Sequence, residues 1–224
     1  MQNAVASNSG AQSTVDLRSA ISRQECSESA LTGMLNQNHM YRLWSFIQGR
    51  TTYPVFGTVR ELREVSDMLT SWKARNPPSP AAFTFHWGAH FVAARLVPGT
   101  AAALPMLEVV DSLRSAAAAT ALHQLVMQAD NQPWRLSRRS TTWQIEDGGA
   151  GIASAIDGCG CYAIHAAYML ACGKSVSSLP RPSGQAIAFL RSVASQDPAQ
   201  IPTGSYSVVL LSVSQFSKPR PHRV

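Results

Sequence analysis

Apolar positions take three textures along the chain. In the N-terminal third they recur at three- and four-residue steps: Val15, Leu17 and Ile21; then Leu31, Met34 and Leu35; then Met40, Leu43, Trp44 and Ile47. This is the spacing of amphipathic helices. Ser27 with Glu28 opens the second and Gly49 closes the third. Thr58 to Leu69 predicts an exposed amphipathic helix with Thr58 as N-cap, ending before the linker Asn76-Pro77-Pro78-Ser79-Pro80. The second texture is β-prone. Phe83-Thr84-Phe85, Phe91 to Val97 and Met106 to Val110 read as strands, the first two joined by His86 to His90 and the next two turning at Pro98-Gly99. An alanine-rich helix over Leu113 to Ala129 breaks at Asp130-Asn131-Gln132-Pro133, and Trp134 to Leu136 and Thr141 to Ile145 alternate as strands do. The third texture begins at Cys161, where apolar residues fall almost everywhere and predict a helix buried on most of its surface. A glycine-rich loop, Asp147 to Gly158, leads into it. A helix through Ala186 to Leu190 and an apolar run, Val208 to Leu211, follow.

Helices, then a block of strands, then helices predicts an α+β fold rather than an alternating one. The chain shows no internal repeat, and 224 residues suffice for one good core. The expected organisation is one domain over 15–217, with a helical part at 15–75 and a core at 83–217. A disordered, polar segment at 1–14 and a basic tail at 218–224 flank it.

Composition narrows the setting. Apolar residues make up 45% and charged residues 14%, as in a protein with a filled interior. Cys26, Cys159, Cys161 and Cys172 do not form a disulfide framework, which predicts a reducing, cytoplasmic site of action. No apolar run reaches transmembrane length. Residues 1–14 lack a conventional secretory signal, although a segment read by a specialised secretion system has this look. The net charge of +6 suits a nucleic acid, a membrane or an acidic protein. Without zinc-finger spacing or a basic stripe interleaved with aromatics, nucleic acid is not the expected partner.

Three polar positions stand out by where they fall. Cys159 sits between glycines at the start of the buried helix, where unpaired N–H groups and the helix dipole favour a thiolate. His90 begins one strand and Asp111 ends the next. If those strands pair antiparallel, His90 and Asp111 become neighbours. A thiol, a base and a carboxylate that orients the base make an activated nucleophile.

The motifs His90-Phe91-Val92-Ala93-Ala94-Arg95-Leu96, Leu107-Glu108-Val109-Val110-Asp111-Ser112-Leu113 and Cys159-Gly160-Cys161-Tyr162 resemble those of ubiquitin-like-protein proteases. This is the Ulp/SENP and adenovirus-protease clan, which also holds bacterial effector deubiquitinases and YopJ-like acetyltransferases. The resemblance spans residues 83–172 and matches the order His, Asp, Cys. It implies a papain-like fold of the Ulp/SENP type, with a mixed or antiparallel sheet packed on a central helix that starts at the nucleophile. It also implies Cys159 as nucleophile, His90 as general base and Asp111 as its orienter. The implied reaction is hydrolysis of a peptide or isopeptide bond after ubiquitin or a ubiquitin-like modifier, without cofactor or metal. A bacterial effector delivered to a host cell fits the small, Ala- and Arg-rich chain. Departures are Phe91 where the family has Trp, Gly158 where it has Asp, and Ala153 where it has the oxyanion-hole Gln. Gln144 is the nearest upstream glutamine and the candidate for that role.

Alternatives stand beside these. His86, followed by Trp87, competes with His90, and Cys161 competes with Cys159. Cys161 and His165 share a helix face, as two zinc ligands would, but no second ligand pair has recognised spacing. Glu108 faces away from Val109 and Asp111 and is expected to be solvated. For the whole protein the alternatives are acetyl transfer, or a catalytically inert module that grips a ubiquitin-like partner.

Overall fold

The computed structural model describes residues 35–145 and 158–196. Expectations for the first helical pattern, most of the second, most of the glycine-rich loop, the run Val208–Leu211 and both tails lie outside those residues. The described elements are α1 (Gln37–Ile47), β1 (Val55–Val59), α2 (Leu62–Lys73), β2 (Ala81–Trp87), β3 (His90–Val97), β4 (Met106–Asp111), α3 (Ala117–Asp130), β5 (Arg135–Ser140), α4 (Cys159–Ala171), a 3₁₀ turn (Val176–Ser178) and α5 (Gly184–Ser195).

The strands form one mixed sheet in the order β1-β2-β3-β4-β5. Strands β2, β3 and β4 pair antiparallel, while β1 runs parallel to β2 and β5 parallel to β4. Each parallel pair is bridged by a helix, α2 or α3, so two crossover units flank an antiparallel centre. The α+β class predicted from the element order therefore stands. Apolar residues cover both faces of the sheet. One core joins α1, α4 and α5 to Ala82, Phe91, Ala93 and Val110, and the other joins α2 and α3 to Phe83, Val92, Ala94 and Val109. The alternation of β3 between these two cores is the period of two that a pleated strand imposes.

Every residue of α4 is buried. With no Asp, Glu, Lys or Arg among its thirteen residues, the helix has no charged face to turn to water. Its C-terminus is closed by Gly173 at φ +84°, where Lys174 N–H reaches Met169 O at 3.0 Å and Gly173 N–H reaches Leu170 O at 3.0 Å. The Arg95 guanidinium donates to Leu170 O at 2.9 Å and Lys174 O at 3.1 Å, and to Glu108 Oε2 at 2.5 Å. Glu108 is thus not solvated: it is 7% exposed and neutralises the arginine that pins the helix end. Gly160, in the first turn of α4, lets α1 approach. A Cβ there would lie 2.8 Å from Met40 Sδ and 2.9 Å from Leu35 Cδ1.

Several local expectations are corrected. Thr58 is not a helix cap: it lies in β1, and its hydroxyl bonds Thr84 Oγ1 at 2.8 Å and accepts from Trp44 Nε1 at 3.2 Å. Helix α2 starts only at Leu62. The strand is hidden in the sequence by Gly57, which at φ +82° forms a register shift against β2. Strand β1 thus joins the same sheet as β2 to β5. The connection from β2 to β3 is the two-residue turn Gly88-Ala89, with Gly88 at φ +60°. Helix α3 begins four residues later than predicted, since Asp111 Oδ1 accepts from Leu113 N–H at 2.8 Å and Arg114 takes φ +58°. Thr141–Ile145 is not a strand. Thr141 N–H bonds Asp111 O at 2.8 Å, Gln144 N–H bonds Ser112 O at 3.3 Å, and Trp143–Ile145 turn helical.

Candidate active site

Helix α4 delivers Cys159 at its first position, 2% exposed, with Gly158, which has no side chain to cap the end, as N-cap. The first-turn N–H groups therefore take no capping oxygen from the N-cap residue and point toward the cysteine end of the helix. Cys159 Sγ lies 3.9 Å from Ala89 O, the carbonyl in the β2–β3 turn that immediately precedes His90. A two-residue turn thus lies between β2 and His90 and carries the carbonyl that Cys159 Sγ approaches.

His90 and Asp111 meet as a diagonal pair across β3 and β4, since the register places Ala93 opposite Val110. His90 Nε2 and Asp111 Oδ1 are 2.9 Å apart. Asp111 is 1% exposed, and its Oδ1 also accepts from Leu113 N–H. The bond at Nε2 leaves Nδ1 as the other ring nitrogen. Nδ1 is buried and unbonded in this resting arrangement, as is Asp111 Oδ2. Burial is the largest influence on His90 and opposes its charge. The hydrogen bond to Asp111 and the nearby Cys159 sulfur together outweigh it and raise the histidine from 6.5 to about 9. At neutral pH the ring is accordingly an imidazolium, held between a carboxylate and a sulfur.

The competing residues fall elsewhere. His86 stacks on Phe91, with ring centroids 4.3 Å apart and planes 13° apart, and burial lowers its proton affinity. It shares no hydrogen bond with Asp111, whose bonds go to His90 and the following turn. Cys161 is fully buried, which pushes its thiol up to about 12 despite the opposing charge of Arg191. Such a thiol is a poor nucleophile at neutral pH. His165 is 2% exposed and burial lowers it to about 4, so it sits neutral in the core. Among the described residues no three His, Cys, Asp or Glu side chains converge as a metal site would need.

Gln144 is 0% exposed, and its Oε1 accepts a hydrogen bond from Ser112 Oγ at 2.9 Å. Four hydrogen bonds join residues 141–144 to Asp111 and Ser112, so the glutamine is bound to the strand end that carries the His90 partner. Trp143 packs in the same core as Cys159. From sequence, Ser112 has the character of a turn former and no more. Its place directly after Asp111 is the one signal that could have marked it.

No known protein-family profile matches the chain, and no curated protein does. Solved structures are similar to it at low identity. The central domain of an uncharacterised Legionella pneumophila protein is 16% identical, with a TM-score of 0.46 over 72% of this chain and 89% of that one. The Rickettsia bellii effector RickCE is 16% identical, with a TM-score of 0.44 over 71% of this chain; the match spans 58% of RickCE. A de-sumoylating protease is 9% identical, with a TM-score of 0.41 over 76% of this chain and 84% of that one. The chain's own architecture, a mixed five-stranded sheet on a buried helix that starts at Cys159, is the one its resemblance to ubiquitin-like-protein proteases implies.

Proposed function

We propose that the chain is a thiol hydrolase that cleaves the peptide or isopeptide bond following the C-terminus of ubiquitin or a ubiquitin-like modifier. The observation that carries the reading is the His90–Asp111 pair at 2.9 Å beside a cysteine that opens a buried helix. In this reading the Cys159 sulfur attacks the scissile carbonyl while backbone N–H groups at the helix start receive the oxyanion. His90 gives its proton to the leaving amine, which completes a thioester. It then takes a proton from water, whose oxygen attacks the thioester and frees Cys159. Asp111 holds the ring through Nε2 and favours its charged form. Gln144 is assigned the side-chain oxyanion donor.

The test is capture by C-terminal electrophiles built on ubiquitin and on its relatives, read by intact mass. An adduct on Cys159 with one modifier preferred supports the reading and names the substrate. Measurable modifier binding with no adduct from any probe supports the inert binding module instead.

A further inference from the structure

We propose that Ser112 is a positioning residue that orients the Gln144 carboxamide as an oxyanion donor. A single strand end, Asp111-Ser112, would then set both the base and the donor of the reaction. The proposal rests on the thiol-hydrolase reading above.

Ser112 and Gln144 are both buried, at 4% and 0% exposure, and they are joined twice. Ser112 Oγ donates to Gln144 Oε1 at 2.9 Å, and Gln144 N–H donates to Ser112 O at 3.3 Å. A carboxamide has an acceptor end and a donor end, so satisfying Oε1 at Ser112 turns the NH₂ away from the strand. With Gln144 assigned as the oxyanion donor, the flipped amide would offer the developing negative charge an acceptor in place of a donor, and would raise the barrier rather than lower it. The adjoining residue does the equivalent for the base: Asp111 Oδ1 fixes His90 Nε2. Thr141, through its N–H at 2.8 Å and hydroxyl at 3.2 Å, anchors the Gln144 segment to Asp111 O, so the two alignments share one scaffold. Among the described residues, Ser112 hydrogen-bonds Gln144 and neither Cys159 nor His90.

The test uses the full chain and the C-terminal aminocoumarin amides of ubiquitin and SUMO. Ser112→Ala should lower kcat by about tenfold to a hundredfold with KM nearly unchanged, part of the 10²–10³ expected for losing the donor itself in Gln144→Ala. Ser112→Thr, which keeps the hydroxyl, should restore most of the rate. Adding Ser112→Ala to Gln144→Ala should cost nothing more, and alkylation of Cys159 by iodoacetamide, which builds no oxyanion, should stay at the wild-type rate. Should the alanine variant not fold, Ser112→Cys, nearly isosteric and a weaker donor, should show the same kcat loss in smaller measure. An unchanged kcat in the folded Ser112 variant, or a full loss that persists in the Gln144→Ala background, overturns the proposal. Loss of turnover in Cys159→Ala and His90→Ala with none in Gln144→Ala also overturns it and leaves the hydrolase standing. Full turnover in Cys159→Ala removes the hydrolase reading itself.

Discussion

Asp111→Asn isolates the charge at the centre of the site, because the amide oxygen can still accept from His90 Nε2 and Leu113 N–H. What is lost is the Asp111 charge, one of the influences that, together with the Asp111 hydrogen bond and the Cys159 sulfur, raise His90 from 6.5 to about 9. Burial, the largest influence on the ring, then acts with less opposition, and the histidine should titrate close to or below its ordinary value. A raised folded-state pKa stabilises the fold below the unfolded value and loses that contribution as pH rises through the folded one. The wild-type advantage over Asp111→Asn should therefore be full at about pH 6 and fade between about pH 6.5 and 9. A shift of this size corresponds to at most about 3 kcal/mol, less whatever solvent screens at the partly exposed ring. Urea unfolding of both proteins across that range measures the difference, and an NMR titration of the His90 ring measures the shift directly. A stability difference that is flat with pH, or a wild-type His90 that titrates near 6.5, would refute the reasoning.

Further perturbations read other parts of the site and fold. An imidazolium at His90 should attract iodoacetate, so its alkylation rate relative to iodoacetamide should be several-fold high at neutral pH and fall as pH rises through about 9; His90→Ala should flatten the ratio and His86→Ala should not. Gly160→Ala drives a methyl against Met40 and Leu35 and should destabilise the fold by about 1–3 kcal/mol in thermal or urea melts, less any gain in helix propensity. Arg95→Met leaves Glu108 buried without its cation and should cost about 3–5 kcal/mol, most of which the double variant Arg95→Met/Glu108→Leu should recover, as a double-mutant cycle would show.

What the sequence discloses follows from how local each cause is. The buried helix is legible because thirteen consecutive residues carry no charge, and a helix that turns one face to water almost always carries some. The β3 and β4 strands are legible from unbroken apolar runs bounded by turn residues, and their antiparallel pairing then places His90 beside Asp111. Strand β1 is not, since Gly57 reads as a break until its positive φ is seen to make an irregularity in the pairing with β2. Thr58 matches a cap in isolation, but its hydroxyl is claimed by Trp44 and Thr84, fourteen and twenty-six residues away in the chain. Glu108 is expected in water because nothing local announces that Arg95 will face it across the sheet. Gln144 is expected at the end of a strand, whereas bonds back to Asp111 and Ser112 curl the chain into a helical turn. In each case the misread residue is held by a partner distant in sequence.

The central claim is that Cys159, with His90 as its base, carries out the chemistry. Its most direct measurement is covalent capture of the full chain by a ubiquitin-like C-terminal electrophile, followed by peptide mapping, in wild type, Cys159→Ala and Cys161→Ala. The expected result is one adduct on Cys159, its complete loss in Cys159→Ala, and near wild-type capture in Cys161→Ala, whose buried thiol stays protonated up to about pH 12. Capture that survives Cys159→Ala and vanishes in Cys161→Ala would contradict it.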